Sequence, residues 1–219
     1  MYRISELLDL SHTIAAPLFE GKDYPWEVLA GIKEFILALG STLPAEEFDN
    51  PTEGVWIAKD ATVFPSAYIG APCIIDHGAE VRHCAFIRGS AIVGKNCVVG
   101  NSVELKNAVL FDNVQTPHYN YVGDSILGYK SHMGAGSITS NVKSDKTLVV
   151  VKNGEERIET GLKKFGAILG DHVEVGCNSV LNPGCVLGRG VSVYPTSSVR
   201  GVIPEGHIYK SENSIVKRG

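Results

Sequence analysis

An apolar side chain recurs at every sixth position between residues 57 and 111. The series is Ile57, Val63, Ile69, Ile75, Val81, Ile87, Val93, Val99, Leu105 and Phe111. A small or apolar residue stands four positions after each member except the last, where Gln115 occurs. The same spacing returns at Leu169, Val175, Leu181, Leu187, Val193 and Val199. A period of six fits neither an amphipathic helix nor one long strand. It predicts short strands joined by tight corners, three to a coil, in a mainly β protein wound as a parallel β-helix.

The first 50 residues lack the six-residue repeat. Apolar residues at helical spacing predict a helix from Pro25 to Leu39, and a shorter one is expected around Ile4 to Leu10. Since the open end of a β-helix exposes unpaired strands, we expect residues 1–50 to form a helical cap over one end.

The repeat is interrupted twice. After Phe111 the segment 116–121 departs from the inward pattern, and the repeat resumes with an offset of one residue. Around Asn153-Gly154 two β-rich arms predict a hairpin, inserted at about residues 142–165. We therefore predict a β-helix domain over residues 51–210, followed by a polar tail at 211–219.

Composition narrows the function classes. The net charge of −4 does not favour a nucleic-acid or membrane-surface protein. We expect neither a signal peptide nor a membrane span, because no basic segment followed by an apolar run opens the sequence and no stretch of about 18 apolar residues occurs. Three cysteines, Cys73, Cys97 and Cys185, fall in the small inward position of the repeat and predict reduced core residues of a cytoplasmic protein.

Arg88 and Lys106 are separated by three hexads, and each follows an inward apolar residue. With three hexads per coil they should project from neighbouring coils at one corner, with backbones about 4.8 Å apart. Like charges this close repel, so a phosphate between them would be favourable. Alternatively, the two side chains splay into solvent, or Glu104 neutralises them.

His118 lies in the first interruption of the repeat. A single loop histidine is usually an ordinary surface residue. Beside a possible phosphate site, however, an imidazole that titrates near neutral pH is a candidate general base.

The segment PHYNYVGDSILGYKSHMGAGSITSN resembles the acetyltransferase half of the bifunctional enzymes that make UDP-N-acetylglucosamine, a left-handed β-helix of hexapeptide repeats. The later segment KKFGAILGDHVEVGCNSVLNPGCVLGRGVSVYP is more similar to the archaeal sugar-1-phosphate enzymes with that domain. The first 50 residues hold no Gly-rich, Arg-bearing phosphate loop, so we expect no nucleotidyltransferase domain in this polypeptide.

The resemblance implies roles for individual positions. It makes His118 the catalytic base. It assigns substrate binding to Arg88, Lys106, Glu104, Tyr121, His132 and Asn141, with His132 standing where the bacterial enzymes have Asn. It assigns acetyl-CoA binding to Ala135, Cys177, Pro195 and Lys210. It also implies direct transfer to an amino-sugar 1-phosphate such as glucosamine 1-phosphate, no metal requirement, and a homotrimer whose subunits share the active site.

Two other function classes stay open at this point. One is a non-catalytic solenoid that binds sugar nucleotides or assembles with a nucleotidyltransferase. The other is a metalloenzyme on the same fold, with histidines from neighbouring subunits around zinc. The sequence does not separate glucosamine from galactosamine 1-phosphate.

Overall fold

The computed structural model describes residues 1–219, and short parallel strands on three faces dominate it. The first face contains Val55–Ala58, Cys73–Ile75, Ala91–Val93, Ala167–Leu169, Cys185–Leu187 and Val202–Ile203. The second contains Thr62–Val63, Glu80–Val81, Val98–Asn101, Gln115–His118, His132–Met133, Glu174–Val175, Ser192–Val193 and His207–Ser211. The third contains Tyr68–Ile69, Phe86–Ile87, Ile138–Thr139, Val180–Leu181 and Ser198–Val199. Two longer strands, Glu104–Leu110 and Tyr121–Leu127, run from the third face around the corner onto the first. This architecture confirms the predicted left-handed parallel β-helix.

The repeat forms this fold because its two apolar positions point into the coil. Cys73 and Ala91 fill the small position on adjacent coils, and Ile75 and Val93 fill the large one; all four are fully buried. Burial of a large aliphatic side chain contributes about 1.5–3 kcal/mol, and the stacked coils repeat this contribution along the axis.

The coil length changes in the middle of the molecule. Cys73 pairs with Ala91, three full hexads further along the chain, whereas Ala91 pairs with Ala108, which is one position short of three hexads. The corner before Ala108 is one residue shorter than the corner before Ala91, and Asn107 within it has φ +50°. The residue beside Val93 is therefore Leu110 and not Phe111. The predicted uninterrupted repeat up to Phe111 was wrong, since the shift comes earlier.

The segment around His118 does not leave the coil. Thr116 occupies the inward position beside Val99 and is fully buried, with its hydroxyl donating to the carbonyl oxygen of Val98 at 3.1 Å. The predicted departure of residues 116–121 from the inward pattern was thus wrong. A buried hydroxyl, satisfied by a backbone acceptor, simply replaces an apolar residue there.

The N-terminal arm contains two α-helices, α1 (Ile4–Leu7) and α2 (Ile32–Gly40). Three 3₁₀ helices lie between them, at Leu10–His12, Ala16–Phe19 and Pro25–Gly31. The predicted helix from Pro25 to Leu39 is therefore a 3₁₀ helix that continues into α2.

The arm lies along the side of the β-helix and not over one end. Near its start the Tyr2 hydroxyl accepts from the N–H of Glu205 in the last coils, while α2 packs on strands Cys73–Ile75 and Ala91–Val93 near the first. The predicted cap over one end was wrong in this respect.

The physical reason is a row of outward-facing apolar residues on the first face. Ile74, Ile92, Val109, Ile126, Ile168 and Val186 are all fully buried although they point away from the coil interior. A row of this kind must be covered by other apolar groups, and the arm covers it with residues such as Trp26, Leu29 and Ile36.

Antiparallel strands protect the ends of two faces. Phe48–Thr52 pairs with Val55–Ala58 at the first coil, and Ser214–Lys217 pairs with His207–Ser211 at the last. These strands satisfy backbone groups that an open edge would expose.

The insertion forms the predicted hairpin. Val150–Asn153 pairs antiparallel with Glu156–Glu159 around the Asn153-Gly154 turn.

None of the helices is long and apolar enough to span a bilayer.

Candidate active site

Four of the predicted site residues fall in one column. Successive coils place the following residues at equivalent positions of the corner between the second and third faces: His118, Ala135, Cys177 and Pro195. In each neighbouring pair, the residue that follows the later member in the chain donates its backbone N–H to the carbonyl oxygen of the earlier member, at 2.8–3.0 Å. We call this row the corner column. His118 and Ala135 occupy equivalent positions although their separation is one position less than three hexads, because the middle coils are one residue shorter.

The backbone of His118 is held by a residue that the sequence reasoning missed. The N–H of His118 donates to Oδ1 of Asn120 at 3.2 Å. Asn120 is buried, and its amide donates to the carbonyl oxygens of Gly134 (2.8 Å) and Ser137 (3.1 Å) in the next coil. A buried amide with every contact satisfied fixes this corner. The His118 side chain itself is exposed.

Three further features surround the corner column. Cys177 is exposed and unpaired. Lys210 approaches the column from the second face, with Nζ 5.7 Å from the centre of the Tyr194 ring, next to Pro195. The N–H of Ala135 donates no hydrogen bond within the chain, so it is free to bind an added acceptor.

A second cluster lies at the corner between the third and first faces. Arg88 and Lys106 are neighbours on adjacent coils, as their separation by three hexads predicted, with the N–H of Arg88 donating to the carbonyl oxygen of Leu105 at 2.9 Å. The Arg88 guanidinium donates through Nη1 to Oε1 of Glu104 at 2.8 Å. This hydrogen bond, together with the negative charge of Glu104, raises the pKa of Arg88.

Lys106 pairs with a carboxylate that the sequence reasoning did not single out. Its Nζ lies 2.9 and 3.0 Å from the two carboxylate oxygens of Asp124. Asp124 is buried and also accepts from the side-chain amides of Asn107 (3.0 Å) and Asn141 (2.6 Å). The predicted pair of mutually repelling cations is therefore two ion pairs, each with its own acid. The motif Y-x-G-D already contained the missing carboxylate.

Tyr121 and Asn141 belong to this same cluster. The Asn141 amide donates to the Tyr121 hydroxyl at 3.1 Å. Burial raises the pKa of Tyr121, and the carboxylates of Asp124 and Glu104 raise it further. The tyrosine is therefore a neutral hydroxyl at physiological pH, able to donate one hydrogen bond to a ligand. We call Lys106, Asn107, Tyr121, Asp124 and Asn141 the Asp124 cluster.

His132 lies apart from both groups. It stands on the second face beside Gln115, and its Nδ1 is 2.9 Å from Oε2 of Glu174. The structure does not bring His132 together with the other predicted substrate-binding residues of the same chain.

The corner column and the Lys106–Asp124 pair lie at opposite edges of the third face, with Tyr121 on the strand between them. His118 precedes the strand segment that begins at Tyr121, and Asp124 follows it at the next corner. No hydrogen bond joins the His118 ring to a member of the cluster. Within one chain the candidate base and the candidate phosphate ligands are therefore separated by the width of a face.

No group of three or more His, Cys, Asp or Glu side chains is arranged to hold a metal ion.

Known proteins resemble this chain over different lengths. A family model described as the GMPPB C-terminal domain matches residues 69–155. The bifunctional protein GlmU of Methanococcus maripaludis strain C5 is 31% identical over 198 residues, which are 89% of this chain and 48% of that protein. The bifunctional sugar-1-phosphate nucleotidylyltransferase/acetyltransferase of Sulfurisphaera tokodaii is 33% identical over 106 residues, 48% of this chain and 26% of that protein.

The chain is homologous to part of these bifunctional enzymes. It spans about half the length of the Methanococcus relative and less of the Sulfurisphaera one. Among solved structures, the acetyltransferase domain of PglB from Neisseria gonorrhoeae FA1090, in complex with acetyl coenzyme A, aligns with 90% of this chain and 78% of that one. The identity is 17% and the TM-score 0.35.

Proposed function

We propose that this protein is an acetyl-CoA-dependent N-acetyltransferase of an amino-sugar 1-phosphate, with glucosamine 1-phosphate as the first substrate to test. The observation that carries the proposal is the corner column, which sets an exposed imidazole in line with the positions assigned to acetyl-CoA. The names of the homologous enzymes, which include an acetyltransferase, support the reaction class.

In the proposed reaction the amine nitrogen attacks the thioester carbonyl of acetyl-CoA. The new C–N bond forms, the C–S bond breaks, and CoA leaves as its thiol. His118 accepts the proton that the attacking amine loses and passes it to the departing sulfur. General acid–base catalysis of this kind raises the rate by roughly 10²–10⁴-fold. The free N–H of Ala135 supplies a donor for the developing oxyanion. The reaction uses no acyl-enzyme, and Cys177 is not a nucleophile in it.

The phosphate of the sugar would bind at Arg88 and Lys106, with the Tyr121 hydroxyl and the Asn141 amide nearby. Arg88 is about half exposed, with side-chain accessibility of 47%, and uses one terminal nitrogen on Glu104. Its remaining N–H groups can therefore bind a phosphate oxygen. Holding the substrate at both ends positions the amine, an effect worth several kcal/mol in well-oriented reactions.

The separation of the two corners favours a site shared between subunits. The phosphate and the amine stand on adjacent carbons of the sugar, whereas His118 and Lys106 lie at opposite edges of the third face. We therefore propose that the His118 corner of one protomer faces the Asp124 cluster of another in a homotrimer. Exposed aromatic residues on the third face, Tyr68 and Phe86, are suitable for packing against another copy.

The first experiment is a panel of amino-sugar phosphates with acetyl-CoA, with CoA measured by chromatography. His118→Ala should lower kcat by at least about 100-fold. His83→Ala is the matched control, because His83 is an exposed histidine on the same corner two coils away. Arg88→Ala should mainly raise KM for the sugar phosphate. If His118→Ala and His83→Ala behave alike, His118 is not the base.

The second experiment tests the shared site. His118→Ala and Lys106→Ala chains are each expected to be strongly impaired, and mixed oligomers made by co-refolding should regain part of the activity. Mixed oligomers without activity would contradict a site built from two protomers. CoA binding without turnover of any amino sugar would instead favour the non-catalytic solenoid.

A further inference from the structure

A cavity of about 550 Å³ lies between the hairpin and the corner where the third face meets the first. Four cationic side chains line it: Lys143, Lys152, Arg157 and Arg200. Asp145 is the one acidic residue in its lining. The volume is within the range of small-molecule sites, about 300–1,000 Å³.

The positive charge of this cavity is largely uncompensated. Lys143 pairs with Asp145 at 3.3 Å, which uses the only acid. Lys152, Arg157 and Arg200 form no ion pair within 4 Å and no side-chain hydrogen bond. Single exposed cations are ordinary on protein surfaces, but three that converge on one concave site without an acid are not.

Two of these cations are placed against each other by the fold. Lys152 and Arg157 are directly opposite in the antiparallel hairpin. Like charges at such a position destabilise the strand pair. An anion bound between them would turn this repulsion into attraction, since Arg and Lys both bind phosphate oxygens well.

The hairpin is fixed to the β-helix, so the cations are held at the cavity. Val149 and Val151 are fully buried. A Cβ added at Gly201 would lie 2.9 Å from the carbonyl oxygen of Lys152, so the first hairpin strand is in direct contact with the corner that carries Arg200. The ligand groups therefore come from two elements packed together.

We propose that this cavity binds a multiply charged phosphate group, as a diphosphate or a phosphate monoester. The site is separate from Arg88 and Lys106, each of which pairs with an acid of its own, Glu104 or Asp124. The phosphate has two possible sources: the phosphates of CoA, which leave Arg88 and Lys106 to the sugar phosphate, or the sugar phosphate itself, in which case this cavity replaces those two residues as its site. The inference does not depend on acetyl transfer, because binding alone tests it.

The probe is inorganic pyrophosphate, titrated calorimetrically into the full chain at low ionic strength. Arg157→Gln and Arg200→Gln should each weaken binding by about 10- to 150-fold, the usual effect of one hydrogen bond to a charged group. Arg82→Gln is the matched control, because it removes the same charge from a partly exposed ion pair with Glu80 on the second face. Both cavity variants change exposed side chains, and urea unfolding verifies that the variant proteins fold.

Unchanged pyrophosphate affinity in Arg157→Gln and Arg200→Gln, or an equal loss in Arg82→Gln, would overturn the proposal. To identify the source, the same variants are titrated with glucosamine 1-phosphate, CoA and dephospho-CoA. A loss confined to the sugar phosphate assigns the site to the acceptor, and a loss for CoA that dephospho-CoA does not show assigns it to the 3′-phosphate. His118→Ala should bind pyrophosphate like the wild type, so failure of the proposed reaction and failure of this site are distinguishable.

Discussion

Lys106 donates to both carboxylate oxygens of Asp124 across two neighbouring coils, at 2.9 and 3.0 Å. Asp124 is almost fully buried, whereas the Lys106 side chain keeps 25% of its accessibility. The carboxylate therefore holds an ammonium group at the surface while its own position is set by two amides, Asn107 and Asn141. The contact between Lys106 and Asp124 therefore stabilises the middle coils and also positions Lys106 at the proposed phosphate site.

Asp124→Asn should destabilise the protein by about 2–3 kcal/mol, because a side-chain amide would face three donors and leave Lys106 without its acid. Urea unfolding measures this loss. Asp49→Asn, an exposed carboxylate on an end strand, is the control and should change the unfolding free energy by less than about 0.5 kcal/mol. Equal midpoints for Asp124→Asn and the wild type would show that the pair does not stabilise the fold.

CoA should protect one exposed cysteine and not the other. Cys84 and Cys177 are exposed, whereas Cys73, Cys97 and Cys185 are buried. Burial raises the pKa of Cys73 and Cys185 to about 12, so these thiols should stay unreactive in the native protein. If acetyl-CoA binds along the corner column, saturating CoA should slow alkylation of Cys177 at least several-fold and leave Cys84 unchanged.

Mass spectrometry after timed alkylation with iodoacetamide resolves the two sites. Equal protection of Cys84 and Cys177 would indicate a general effect of CoA on the protein. No protection at Cys177 would contradict the assignment of the column to the cofactor, whatever the activity measurements give.

Gly201→Ala should loosen the hairpin. Gly201 has φ +72°, and its Cβ would approach the Lys152 carbonyl oxygen to 2.9 Å. Gly206 has a similar φ of +65° with no atom within 4 Å of its Cβ, so Gly206→Ala reports backbone strain alone, about 1 kcal/mol. Hydrogen exchange of residues 150–159 should become faster in Gly201→Ala than in Gly206→Ala. The same exchange rates in both variants would mean that the hairpin does not depend on this contact.

The stability of Asp76→Asn relative to the wild type should rise with pH. Burial raises the pKa of Asp76, and its Oδ2 has no hydrogen-bond partner. Because the folded state holds this proton more tightly than the unfolded chain, the wild type loses stability as the pH rises above the ordinary carboxyl value of about 3.9. The asparagine does not titrate and escapes this loss.

Asp145→Asn provides a control of opposite sign. Hydrogen bonds from the backbone and hydroxyl of Thr147 lower the pKa of Asp145, so its carboxylate stabilises the folded state above the ordinary value and this stability is lost as the pH falls. Relative to the wild type, Asp145→Asn should therefore lose stability as the pH rises from about 2 to 5, whereas the change for Asp76→Asn lies above the ordinary carboxyl value of about 3.9. Urea midpoints measured between about pH 2 and 7 follow both trends. Parallel trends for the two variants would contradict the burial argument for Asp76.

The sequence predicted the fold more completely than the site. The six-residue period identified the β-helix and the neighbouring positions of Arg88 and Lys106, because each coil repeats the same inward pattern. It could not locate the shift at Asn107, because Leu110 and Phe111 are both apolar and either one continues the pattern. It also misread Thr116, because a hydroxyl bonded to a carbonyl oxygen can occupy a buried position.

The place of the arm was in principle visible in the sequence. The outward row that includes Ile74, Ile92 and Ile126 is apolar on coil after coil, which indicates a covered face. The roles assigned to His118, Ala135, Cys177 and Pro195 stay predictions that the experiments above address, although the four positions form one column.

The sequence by itself determined the winding of the coil, since burial of two positions in every six is a local and repeated requirement. Only the tertiary structure decided which charges meet. The acid bound to Lys106, the amide under His118 and the cations around the hairpin cavity come from different coils and from the insertion. Their encounters depend on one residue more or less at a corner, and no periodic pattern contains that information.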